Sequence, residues 1–150
     1  GRGLAAALML GADGVLVGSR MMASEEALTP PGFRTAILGA DGDATVRTHA
    51  VDTVRGITWP AGFTGRALTT GFVKTWHGRD AELAEPSVNA RESERFWTAF
   101  RAGDAEHTGV FFGEVAGLIH EVKSAADIVQ DMAHDAERLL RHGAAAIAVN

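Results

Sequence analysis

Apolar positions change rhythm several times along this chain, and each change marks an element. Between Gly3 and Leu10, Leu4, Leu8 and Met9 recur at i, i+4 and i+5 among alanines. That spacing gives the apolar face of a helix laid on a sheet. Gly11-Ala12-Asp13-Gly14 breaks the pattern as a tight turn. Val15-Leu16-Val17 then runs without a polar residue, as strands covered on both faces of a parallel sheet do. The succession predicts one helix-then-strand step of an α/β protein. The strand stops at Gly18-Ser19-Arg20.

Further along, Ser24 before Glu25 and Glu26 predicts an N-cap with acids in the first turn, opening a helix that Pro30-Pro31 interrupts or ends. A short helix through Phe33, Ile37 and Leu38 stops at Gly39. From Asp41 to Pro60 no single period dominates, and the stretch reads as extended or irregular chain. Leu68 to Trp76 predicts a helix, and Ser87 to Arg101 an amphipathic one with Phe96, Trp97 and Phe100 at i, i+1 and i+4. Val110-Phe111-Phe112 and Gly113 to Ile119 read as short strands or a glycine-loosened loop. Ser124-Ala125-Ala126-Asp127 opens the clearest helix in capping-box fashion. Ile128, Val129, Met132, Ala136, Leu139 and Leu140 hold its spacing, and Gly143 is placed to cap its end. No repeat, low-complexity tract or linker composition marks a second domain.

Composition narrows the class. The 150 residues are 46% hydrophobic and 22% charged, a soluble globular balance with enough apolar material for a core. A formal charge of −5 without a basic cluster argues against nucleic acid as the main partner. The absence of cysteine excludes disulfides and thiolate metal sites and fits a reducing cytoplasm. No apolar run reaches the roughly 18 residues of a membrane span. A chain opening on Gly1-Arg2-Gly3, inside a helix-strand unit, reads as a piece of a longer protein.

Candidate chemistry concentrates where the first strand ends. A phosphate needs N–H donors that approach closely, and glycine removes the Cβ that would stand in the way. Gly18 offers that approach, Ser19 an N–H and a hydroxyl, and Arg20 a cation. In (β/α)₈ barrels the loops after strands 7 and 8 make such sites. Read alone, Gly18-Ser19-Arg20 is more often an ordinary strand-to-helix turn. The histidines, His49, His77, His107, His120, His134 and His142, show no metal-ligand spacing. His120-Glu121 and His134-Asp135 are sequence neighbours whose side chains diverge, so neither is an acid–base dyad. Asp127, Asp131 and Asp135 share a solvated helix stripe. Phe96, Trp97 and Phe100 read as core rather than as a base-stacking platform.

Taken together, four segments resemble the C-terminal portion of the nitronate monooxygenases, also called 2-nitropropane dioxygenases. They are Gly1 to Arg20, Gly56-Ile57-Thr58-Trp59-Pro60 with Gly65-Arg66-Ala67-Leu68, Trp76-His77-Gly78-Arg79, and Gly113 to Ile119 with the last helix. The first is shared with related FMN barrels; the set is more specific. The resemblance implies an FMN-binding (β/α)₈ TIM barrel with a mostly helical appended region. Residues 1–20 would be its last barrel helix and strand, and residues 21–150 the following helices and closing region. It further implies that Leu16, Val17, Gly18 and Ser19 contact FMN, with Gly18 and Ser19 on the phosphate. Where Leu16 and Ser19 stand, the family often has glutamine and threonine. The serine keeps a hydroxyl donor; the leucine removes a polar contact. The family's catalytic histidine follows an earlier strand, so none of the six histidines inherits that role, and the chain alone is expected to be inactive. The implied reaction is oxidation of an alkyl nitronate by FMN and dioxygen to a carbonyl compound and nitrite. A sister FMN barrel, such as a flavin-dependent enoyl-ACP reductase, and a non-catalytic α/β domain are the competing readings.

Overall fold

The computed structural model describes residues 1–147. The backbone gathers into two compact units: Gly1–Ala27 together with the chain from Val122 onward, and Leu28–Glu121.

In the first unit, helix α1 (Arg2–Met9) lies against the long C-terminal helix α8 (Ala125–Ile147). The four-residue helix α2 (Ser19–Met22) also touches α8. Ile128 and Ala136 on α8 are buried, and Ala136 lines a cleft with Leu4 and Leu8 of α1. The start of α8 follows the expected chemistry. Ser124 Oγ accepts from Asp127 N at 3.0 Å and donates to the Asp127 carboxylate at 2.7 Å. A second cap comes from far along the chain: Glu26 Oε2 accepts from Ala125 N at 2.8 Å. Losing the serine cap by Ser124→Ala should lower stability by about 1 kcal/mol; urea unfolding followed by circular dichroism measures it.

Two expectations about helices in this unit fail. Ser24 to Ala27 form no helix; Ser24 instead makes a parallel bridge with Lys123, and Glu25 N donates to Lys123 O at 2.9 Å. Ser24 is spent on backbone pairing, so the two acids that follow it have no helix to open. At the other end, α8 passes through Gly143 and continues to Ile147. Glycine costs a helix interior only about 1 kcal/mol, and the alanines at 144 to 146 favour continuation.

The second unit is built on α3 (Pro31–Leu38), β1 (Thr45–Thr48), α4 (Ala50–Val54), β2 (Gly65–Leu68), α5 (Gly71–Trp76), α6 (Asp80–Leu83) and α7 (Pro86–Ala102). α3 ends at Gly39 as expected, although Pro30-Pro31 opens it rather than closing an earlier helix. β1 and β2 are antiparallel, with Thr45 opposite Leu68 and Thr48 opposite Gly65. On the other side of β2, Phe111 bridges Ala67, with Leu68 N donating to Val110 O and Phe112 N to Arg66 O. The region from Asp41 to Pro60 is therefore more regular than its pattern predicts, holding both β1 and α4. Leu68 belongs to a strand, and the helix expected from it starts only at Gly71, where Thr70 Oγ1 accepts from Val73 N. Gly113 to Ile119 resolve as a 3₁₀ turn over Glu114–Leu118.

α7 explains the unit's core. Proline at its first position suits a helix start, and Gly103 at φ +71° ends it in the left-handed conformation that glycine adopts without strain. Its inner face carries Glu92, Phe96 and Ala99. Phe96 is 2% exposed and meets the Phe72 ring edge-on at 5.2 Å and the Trp97 ring at 5.4 Å. Ala50, Val51, Val54, Ala67, Val73, Trp76 and Leu83 complete the cluster. Burying a side chain such as Phe96 contributes about 1.5–3 kcal/mol. Glu92 on the same face is answered by Arg91 at 2.9 Å and Arg95 at 3.1 Å.

Candidate functional site

Helix α1 ends in a turn at Gly11, whose φ of +92° needs glycine, and the chain then runs without regular structure from Gly14 to Gly18. The apolar run Val15-Leu16-Val17 predicts a buried strand. Among the described residues no segment pairs with it, Leu16 is fully exposed and Val15 is 45% exposed. A parallel strand takes its hydrogen bonds and its cover from neighbouring strands, and no other described segment lies in a ladder with this one. The apolar run is therefore legible in composition but not a strand in this structure.

Gly18 caps α2 with φ −100°, and Met21 N donates to its carbonyl at 2.9 Å. A Cβ built at Gly18 would meet no atom within 4 Å. The backbone there is open to approach. Ser19 follows at the first helical position, half-buried, and no acidic residue stands in the first turn. Arg20 turns away from this opening: its Nη1 donates to Ala23 O at 3.3 Å, and Asp131 on α8 feels its charge. Of the three residues singled out for an anion, Gly18 and Ser19 stand at the start of α2 rather than at the end of a strand, and Arg20 bonds within its own turn.

Asp131 itself is held below the usual carboxylate range, first by a 2.9 Å hydrogen bond from Lys123 Nζ and then by that ammonium's charge. Its neighbours on the stripe are also engaged, Asp127 with Ser124 and Asp135 with Arg138. The solvated stripe is thus a row of local pairs.

One ionisable pair emerges only from the structure. His107 Nδ1 and Asp104 Oδ2 are 2.7 Å apart, and this hydrogen bond is the main cause holding the Asp104 carboxyl below its usual range. Asp104 Oδ1 also accepts from the amides of Glu106 and His107. The pair tightens the loop after α7. Its signal in the sequence is an Asp-x-x-His spacing at a turn, which a search among immediate neighbours passes over.

The nitronate monooxygenase family model matches residues 1–135. The chain belongs to the nitronate monooxygenase family. It is 33% identical over 144 residues to the nitronate monooxygenase npaC of Metarhizium robertsii, covering 93% of this chain and 40% of that protein. It is 31% identical over 144 residues to a nitronate monooxygenase of Neurospora crassa, covering 94% of this chain and 36% of that protein. Among solved structures, FabK from Thermotoga maritima superposes with a TM-score of 0.74 at 29% identity, covering 95% of this chain and 42% of that one. A nitroalkane oxidase from Streptomyces ansochromogenes shares the fold, with a TM-score of 0.72 at 24% identity and coverage of 94% and 37%. The chain therefore spans about two-fifths of the length of these relatives. No helix among the described residues is long and apolar enough to cross a membrane.

Proposed function

We propose that this chain is part of an FMN-dependent oxidoreductase that oxidises alkyl nitronates with dioxygen to carbonyl compounds and nitrite. The observation that carries the reading is the family match over residues 1–135, which includes the opening at Gly18. Leu16, Val17, Gly18 and Ser19 form one side of the flavin site in this proposal. The residues fit that role, with an uncovered glycine at the head of α2, a hydroxyl at Ser19, and no acid in the helix's first turn. FMN, when bound, supplies the electron acceptor, and the protein's share is binding and orientation. The Gly18 and Ser19 amides bind the phosphate oxygens, where hydrogen bonds to an anion are stronger than those between neutral groups. Leu16 presents an apolar edge, so its side chain orients the cofactor by contact alone. Catalytic side chains are assigned to none of this chain's histidines.

The test is a visible absorption spectrum of the intact protein followed by nitrite release from an alkyl nitronate. A flavin band with nitrite is the expected result. A flavin band without nitrite would transfer the assignment to a sister FMN barrel, a reading favoured by the fold shared with FabK. Absence of flavin would leave Gly18-Ser19 as a structural turn.

A further inference from the structure

The unit Leu28–Glu121 contains a pocket of about 440 Å³ at the start of β2, walled by Trp59, Phe63 and Phe111. Trp59 and Phe63 are large apolar side chains left 55% and 61% exposed. Two charged groups line the same pocket. Asp52 on α4 is only 3% exposed, and its Oδ2 is buried without a hydrogen-bond partner. Its Oδ1 stands 4.0 Å from Arg55 Nη1, at the outer limit of an ion pair. The Arg55 guanidinium is instead settled over aromatic rings, 5.5 Å from the Phe111 centroid and 6.0 Å from that of Trp97.

A buried carboxylate oxygen without a donor costs more than most single interactions return, so such a group calls for an explanation. Here an acceptor and a cationic donor sit side by side at the edge of an aromatic pocket. An ammonium entering it would meet the charge of Arg55, and a carboxylate would meet that of Asp52. An amide edge suits both: its N–H donates to Asp52 Oδ1, the carboxylate oxygen beside Arg55, and its carbonyl accepts from Arg55. A ring attached to that edge would lie among Trp59, Phe63 and Phe111, where aromatic faces prefer to meet at offset or edge-on angles. We propose that this pocket binds a small flat molecule carrying an amide edge on an aromatic ring. The inference does not depend on the flavin reading.

Benzamide is the probe, with the intact protein titrated by calorimetry and the site located by the indole N–H resonances. Saturable binding that shifts Trp59 and leaves the buried Trp76 unmoved is expected, with benzoate and toluene binding at least about tenfold more weakly. Asp52→Leu should weaken benzamide about ten- to a hundredfold, the range for a hydrogen bond to a charged group, while the Trp76 resonance stays in place. Trp59→Ala, at an exposed position, should weaken it without disturbing the fold and serves if the Leu variant does not fold. The proposal falls if benzamide gives no saturable response, which would leave a water as the partner of Asp52. It falls equally if toluene matches benzamide, or if both variants bind at full strength.

Discussion

In the intact protein Gly18→Val should lower FMN affinity about ten- to a hundredfold, so that the purified variant loses most of its visible flavin band. The magnitude is that of disturbing one hydrogen bond to a charged phosphate, which contributes about 1.5–3 kcal/mol. The local geometry makes the variant informative. Gly18 has negative φ, and a Cβ added to it would meet no protein atom within 4 Å. The branched side chain therefore meets a ligand before it meets the protein. Thermal unfolding of the flavin-free variant should match that of the flavin-free parent, while the flavin-loaded forms separate. Unchanged occupancy would remove Gly18 from the proposed site.

The same residue shows how far the sequence can be read. A glycine followed by a hydroxyl at the end of an apolar run is visible there, because residue type alone carries that information. The state of the run is not. Val15-Leu16-Val17 has the composition of a buried strand, but a strand is a property of a ladder, and no described segment pairs with it. Helices are legible where their signals are local. Phe96 and Phe100 fix the period of α7, and Ser124 with Asp127 fixes the start of α8. Local signals mislead when a side chain serves a distant partner: Glu26 reads as an acid of its own helix, yet it caps α8 ninety-nine residues away. β1 escapes the pattern for a related reason. Thr45 and Thr48 are buried while Val46 is only half-buried and Arg47 exposed, so its four residues do not alternate. Nor does composition mark the two crossings between the compact units, at Ala27–Leu28 and Glu121–Val122. Asp52 is invisible as a candidate because its significance is its burial, which Val51 and Val54 hint at only once α4 is known to be a helix.

Phe96→Ala should cost about 3–5 kcal/mol, the usual range for emptying a buried phenylalanine site. Phe100→Ala, one helical turn along the same face, should cost about 1 kcal/mol, the typical size of a point-mutation effect. The comparison separates burial from aromatic contact. Both rings lie edge-on to Trp97, at 5.4 and 5.5 Å, so the aromatic geometry is common to the two. Phe96 is 2% exposed and sits in the cluster with Phe72, Val73 and Leu83, whereas Phe100 is 37% exposed. Removing Phe96 leaves a void whose walls come from α4, α5, α6 and α7, and those elements cannot all close on it. All three tryptophans belong to the Leu28–Glu121 unit, so urea unfolding followed by tryptophan fluorescence reports on this core. Equal losses for the two variants would mean that contact with Trp97, rather than burial among α4 to α7, governs the stability of this unit.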